Sequence, residues 1–312
     1  MEGTSNGFAI RTEGLRRAFG DFVAVDGVDL EVHKGELFSL LGPNGAGKTT
    51  TISMLCCLLR PSGGQAWVMG HDVTSDPIAV KRIIDISPQE TAIASHLDAW
   101  ENLSLMAGLH GMDTATTKTR SGELLEMMAL TDRADEKVGK YSGGMKRRLS
   151  IAMALVTGPQ VLFLDEPTLG LDPQSRRIIW EYIETLKGDT TILLTTHYLE
   201  EADALADRVA VIDHGKVIAL GTPLELKSGL AGNAVMVIES PDLTDAGLDA
   251  LRSKWPSARA VDGGAEIEDD EVSLYDVQDV LRPMGITITS SYTKSVTLDD
   301  VFLQLTGKQL RQ

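Results

Sequence analysis

The sequence predicts an α/β fold, a parallel sheet covered by helices, and three observations carry that expectation. Leu37-Phe38-Ser39-Leu40-Leu41 is apolar apart from one serine, as suits a strand buried on both faces, and it runs into a glycine-rich loop and then a helix. From Val161 to Ile212 strand-like and helix-like segments alternate, the pattern of a parallel sheet whose crossovers lie on its faces. Between these two regions, from about His96 to Lys140, apolar residues recur at helical spacing with no strand signal, so a helical insertion interrupts the sheet.

At the N-terminus, Ala9–Arg11, Val23–Val25 and Val28–Val32 are short β-rich pieces separated by Gly and Asp. They predict a small antiparallel sheet feeding the central strand Leu37–Leu41. Thr49–Leu59 reads as a helix stopped by Arg60-Pro61-Ser62-Gly63-Gly64. In the insertion the helical spacing is marked by Leu97, Trp100, Leu103 and Leu105, then by Leu124, Leu125, Met128 and Leu130. Next come a strand at Val161–Leu164, a helix over Ser175–Leu186, a strand at Thr191–Thr195, a helix near Leu199–Ala206 and a strand at Val209–Ile212. Beyond about Leu230 a small α+β appendage begins. Its strands are expected at Ala234–Ile238 and Ile286–Ser290, and its helices at Gly247–Lys254, Tyr275–Leu281 and Val296–Leu305. The expected domains are therefore 8–228, with a helical part at about 96–150, and an accessory domain at 231–312.

With 312 residues, 43% apolar and 24% charged, the chain can bury a substantial core. Its net charge of −16 repels phosphate backbones and argues against nucleic acid as a partner. From Ala231 to Gln312, 14 acidic residues stand against 7 basic ones, for which solubility is the plainest reading. No stretch reaches the ~18 uninterrupted apolar residues of a spanning helix. The polar start, Met1 to Gly7, lacks the apolar core of a signal peptide. A cytoplasmic location is expected unless a partner holds the chain at a membrane. Cys56 and Cys57, adjacent in an apolar run, read as packing residues.

Gly42-Pro43-Asn44-Gly45-Ala46-Gly47-Lys48-Thr49, followed by Thr50, fits G-x-x-x-x-G-K-[ST] at every fixed position. The glycines let successive N–H groups face inward as an anion nest, and the following helix points its positive end at the same phosphates. Lys48 is expected to reach the β- and γ-phosphates and the Thr49 hydroxyl to coordinate Mg²⁺. The strand Val161-Leu162-Phe163-Leu164 ends in Asp165-Glu166. A carboxylate at such an edge suits Mg²⁺ through water, a role for Asp165, and Glu166 is placed to orient or deprotonate an attacking water. Tyr141-Ser142-Gly143-Gly144-Met145 opens a run of helical periodicity and offers a second phosphate-binding element, or a plain capping turn.

These parts together resemble the nucleotide-binding subunit of ATP-binding cassette (ABC) transporters over about Ile10 to Ser228. The family signature is usually Leu-Ser-Gly-Gly-Gln; here Tyr141 and Met145 replace the outer residues and Ser142, Gly143 and Gly144 remain. The resemblance implies a P-loop NTPase fold with an antiparallel β subdomain, a helical signature subdomain and a small C-terminal α+β accessory domain. It also assigns further roles. Phe19 stands where the family stacks an aromatic ring on adenine, and Gln89 where a glutamine senses Mg²⁺ near the membrane partner. Asp172, in Leu169-Gly170-Leu171-Asp172, matches the loop that crosses a dimer interface, and His197 matches the switch histidine that contacts the γ-phosphate. The implied cofactors are ATP and Mg²⁺. The implied partners are a second copy, joined head to tail around two ATPs, and a separate integral-membrane permease that would hold the chain at the cytoplasmic face of the membrane.

Tyr141 to Arg148, Thr195 to Asp203 and the ending Ser295 to Gly307 are similar to the daunorubicin-resistance group of exporters. That likeness implies an ATPase powering efflux of drugs, antibiotics or lipid-like compounds. A non-transport regulatory ATPase of the same class and an importer subunit are the alternatives. A single cassette without long coiled coils speaks against the first, and the exporter-like ending against the second.

Overall fold

The computed structural model describes residues 7–228, 235–269, 272–294 and 297–307. In chain order the elements begin with β1 (Phe8–Phe19), β2 (Phe22–His33), β3 (Leu37–Leu41), α1 (Lys48–Leu55), β4 (Gly63–Val68) and β5 (His71–Asp72). There follow α2 (Pro77–Ile83), β6 (Ile84–Ser87), α3 (Ala99–Leu109), α4 (Thr114–Met127), α5 (Gly143–Leu155), β7 (Val161–Asp165) and α6 (Pro173–Thr185). Then come β8 (Thr191–Thr196), α7 (Leu199–Leu205), β9 (Arg208–Asp213), β10 (Lys216–Gly221) and α8 (Pro223–Ser228). The chain closes with β11 (Val235–Glu239), α9 (Asp245–Lys254), β12 (Arg259–Val261), β13 (Gly264–Glu268), α10 (Leu274–Leu281), β14 (Ser290–Lys294) and α11 (Leu298–Thr306). The described residues fall into two compact units, one running through Pro223 and taking in the stretch from Phe302, the other spanning Leu224–Val301.

The first unit is built on a six-stranded sheet of order β10-β9-β3-β8-β7-β6. Its strands pair in parallel except at the β9–β10 hairpin. The strands β3, β7 and β8 are buried at every position, which is why β3 and β7 are apolar almost without a break and β8 combines Ile192, Leu193 and Leu194 with β-branched threonines. A second, antiparallel sheet of order β2-β1-β4-β5 lies beside it. Val25, Val28, Leu30 and Val32 from that sheet join Phe38, Leu40, Phe163 and Leu193 from the other and Ile52, Met54 and Leu55 of α1 in one core. In the insertion Asp98 closes a capping box with Glu101 at the start of α3, and Asp113 caps α4.

The antiparallel sheet is larger than the short β-rich pieces suggested, because β1 and β2 are 12 residues each and carry bulges that polar residues and glycines occupy. The helix expected at Thr49–Leu59 stops at Leu55, since Cys57 turns into the left-handed region at φ 55°.

The second unit holds an antiparallel sheet of order β12-β13-β11-β14, and Ile238, Leu251, Ile267, Val277 and Leu281 form a separate core. The strand expected at Ile286–Ser290 is displaced: β14 pairs with β11 from Glu239↔Ser290 to Val235↔Lys294. Ile286 packs instead into the core, against Gly247 on α9, so its apolar character reflects packing rather than the ladder. The β12–β13 hairpin carries no clear strand pattern in the sequence, because its strands are short and rich in Ala, Gly and Glu. Ala234 and Val296, the first residues of two expected elements, lie outside the described residues.

Candidate active site

The loop from β3 to α1 forms one wall of a cleft of about 360 Å³. Two of its glycines have no room for a side chain. A Cβ on Gly42 would lie 2.2 Å from the Ile212 carbonyl oxygen, and one on Gly47, at φ 106°, would lie 2.4 Å from that of Ala24. Gly47 also occupies the N-cap of α1, and no side chain caps the helix. The N–H groups of the first turn are therefore left for a ligand, as an anion site requires. The cleft is lined by Pro43, Asn44, Gly45, Gly47, Lys48, Thr49 and Thr50 from this loop and helix, with Phe22, Ala24, Gln89, Glu166, Leu169 and His197 opposite or beside them.

Charged groups meet at the base of the cleft. Lys48 Nζ donates to the carbonyls of Gly42 at 2.6 Å and Pro43 at 3.2 Å and pairs with Glu166 Oε1 at 3.1 Å. Glu166 Oε2 lies 2.7 Å from His197 Nδ1. Lys48 and Glu166 are both about 5% exposed, so the cation and the carboxylate largely compensate each other away from water. Next to them Thr49 Oγ1 donates to Asp165 Oδ1 at 3.1 Å, and Thr195 Oγ1 donates to the same oxygen at 2.5 Å. A hydroxyl beside a carboxylate, with the amide of Gln89 on the same cleft, is the hard oxygen donor set that suits Mg²⁺.

The sheet order places these groups. Strands β3, β8 and β7 are neighbours, so the loop after β3, Thr195 and His197 at the end of β8, and Asp165-Glu166 at the end of β7 converge at the carboxyl edge. Ala46 and Gly42 belong to the loop but do not line the cleft; Gly42 contributes its carbonyl to Lys48.

Other residues singled out from the sequence lie elsewhere. Ser142 caps α5 by accepting from the Met145 N–H. Gly144 packs against the start of α6, where Asp172 accepts from the N–H and the hydroxyl of Ser175. Those bonds hold the Asp172 carboxyl below its ordinary range. Within one chain, none of Ser142, Gly143, Gly144 and Asp172 lines the cleft. Phe19 is also outside it, with the Arg17 guanidinium 4.5 Å over its ring. Its hairpin partner Phe22 lines the cleft instead. Both phenylalanines flank the Gly20-Asp21 turn, so one hairpin carries the ring expected from the family resemblance and the ring that lines the cleft. Thr195 has no signature in the sequence, since a threonine in a buried strand carries no distinctive pattern.

A phosphate nest joined to a strand-end Asp-Glu pair and a histidine defines a nucleotide-hydrolysing P-loop protein. The family model "ABC transporter" matches residues 25–169. Over 96% of its length the chain is 44% identical to the daunorubicin/doxorubicin resistance ATP-binding protein DrrA of Streptomyces peucetius, of which 92% is covered. It is 37% identical to the Nod factor export ATP-binding protein I of Ralstonia nicotianae, over 97% of this chain and 95% of that one. Among solved structures, the ATP-binding cassette MJ0796, a post-hydrolysis dimer bound to ADP and Pi, superposes with a TM-score of 0.63 at 25% identity. That match covers 68% of this chain and 98% of the cassette. The chain belongs to the ABC transporter family, as an ATP-binding and ATP-hydrolysing subunit of the exporter kind. No helix among the described residues is long and apolar enough to cross a membrane.

Proposed function

We propose that this chain powers the export of drugs, antibiotics or lipid-like compounds through a separate membrane permease, working as a head-to-tail pair of copies at the cytoplasmic face of the membrane. The division of labour follows the proposed domains, an ATP-binding domain over 8–228 and an accessory domain over 231–312. The observation that carries the mechanism is the contact of Glu166 with both Lys48 and His197 at the base of the cleft. On arrival of nucleotide the γ-phosphate takes Lys48 from Glu166. The freed carboxylate then accepts a proton from the attacking water, with His197 steadying the other carboxylate oxygen. Thr49 and Asp165 would hold Mg²⁺, with Gln89 beside them, and the ion would offset charge on the phosphate oxygens. Phe22, and Phe19 from the same hairpin, are the aromatic candidates for the adenine ring.

The signature residues Ser142, Gly143 and Gly144 and the acid Asp172 have no place in the cleft of their own chain. Their role is therefore assigned to the second copy's site, where Ser142 and the start of α5 would meet the γ-phosphate. Closure completes two sites, and hydrolysis removes the contact that holds them shut.

The test is Glu166→Gln, which keeps the shape and hydrogen-bonding reach of the side chain but not its basicity. ATP binding should persist, hydrolysis should fall by about a hundredfold or more, and the variant should run as a dimer on a sizing column only with Mg²⁺ and ATP. Persistent hydrolysis without dimer formation would overturn both the assignment of Glu166 and the shared-site mechanism.

A further inference from the structure

Arg147 lies one turn into α5 and is 4% exposed, yet among the described residues no carboxylate stands in ion-pair contact with it. Its guanidinium is satisfied by main-chain carbonyls of two separate segments. Nε donates to Pro167 O at 2.8 Å and Nη2 to Asp165 O at 2.7 Å. On the other side Nη1 donates to Pro88 O and, at 3.3 Å, to Gln89 O. Burial pushes its pKa down to about 10 against the pull of Asp165, Glu201 and Glu166, so the group remains charged at neutral pH. The adjacent Arg148 reaches elsewhere, to the carbonyls of Met128 and Ala129.

These four bonds join the loop that carries Gln89 to the end of β7, which carries Asp165, and the loop just beyond it. We propose that Arg147 is the positioning residue that fixes the spacing of Gln89 and Asp165, tying both to α5, whose N-terminal turn contains Gly143 and Gly144. A planar fork of donors can span two chain segments at once, whereas an ammonium is a point donor and an apolar side chain offers nothing. The two segments come from non-adjacent parts of the sequence, one just after β6 and one at the end of β7 and just beyond it. Without the bridge the ladder between β6 and β7, which ends at Ser87↔Leu164, is their nearest main-chain link. A shift of α5 is thereby transmitted to the spacing of the two side chains. The proposal rests on the metal-facing roles given above to Gln89 and Asp165.

The test uses the full chain and the fluorescent nucleotide trinitrophenyl-ATP, titrated once with Mg²⁺ and once with EDTA. Arg147→Met is expected to lose about tenfold or more of the affinity gained on adding Mg²⁺, while its affinity in EDTA stays within about twofold of the parent. Arg147→Lys should recover part of the gain. A residue that serves only packing would weaken binding alike in both conditions, and that result, or an unchanged Mg²⁺ gain, would overturn the proposal. If Arg147→Met does not fold, Arg147→Lys carries the test, because one ammonium cannot hold both segments and a smaller selective loss is expected. A parent chain whose affinity does not respond to Mg²⁺ would overturn the metal reading itself.

Discussion

Glu166 sits at φ 51°, a left-handed conformation that costs a residue with a side chain about 1–2 kcal/mol. It persists because the residue is held from every side. Its N–H donates to the carbonyl and the hydroxyl of Thr195, and its carboxylate meets Lys48 and His197. Strain over-determined in this way is typical of functional positions. A second buried acid nearby behaves differently. Glu201 is fully buried on α7, where Thr168 Oγ1 and Trp180 Nε1 donate to it at 2.8 and 3.0 Å, and burial raises its carboxyl above the ordinary range. At pH values between the unfolded and folded pKa the folded chain therefore keeps a proton that the unfolded chain has released. The stability this residue lends is full below the unfolded pKa and declines as pH rises through the folded one. The melting temperature of Glu201→Gln relative to the parent should accordingly increase as pH rises above the ordinary carboxyl range. Melting curves over that rise in pH check this, and a difference independent of pH would refute it.

The starts of α5 and α6 are fitted together through a single glycine. A Cβ on Gly144 would lie 2.7 Å from Ser175 Oγ and 3.3 Å from its Cβ, where that hydroxyl already donates to Asp172 at 2.8 Å. Gly144→Ala should thus break the Asp172–Ser175 bond and lower stability by about 1–3 kcal/mol. Removing the obstructing hydroxyl in the pair Gly144→Ala, Ser175→Ala should restore part of that loss. Denaturant unfolding of the two single variants and the pair measures the coupling, and strict additivity would show that the two sites do not meet.

In the molecule as a whole, the two units have separate cores. One is centred on Phe38, Phe163 and Leu193, the other on Ile238, Leu251 and Leu281. Every residue lining the cleft belongs to the first. Calorimetry is therefore expected to show two unfolding transitions, with Mg²⁺ and ATP at saturating concentration raising one and leaving the other in place. A single transition that shifts as a unit would show instead that the two cores unfold cooperatively.

The sequence by itself determined the local parts that are written contiguously. The phosphate loop was legible because the nest needs glycines beside a lysine and a threonine within eight positions, and Gly42 and Gly47 do lie where a Cβ would strike a carbonyl. The strands β3 and β7 were legible because burial on both faces favours apolar runs, broken in β3 only by Ser39, and β8 because its Ile192-Leu193-Leu194 core is flanked by β-branched threonines. Only the tertiary structure decided what depends on residues far apart in the chain. It set Phe22 in the wall of the cleft and brought Thr195 to Asp165. It also aimed Arg147 at a loop and a strand end, Gln89 and Asp165, that lie 58 and 18 residues away. It moved the last strand to Ser290–Lys294 because Ile286 was needed in a core. The physical reason is common to all four. A covalent neighbour constrains backbone conformation directly, whereas a long-range hydrogen bond or packing contact is set by how the sheets and helices come together, which no local pattern of residue types encodes.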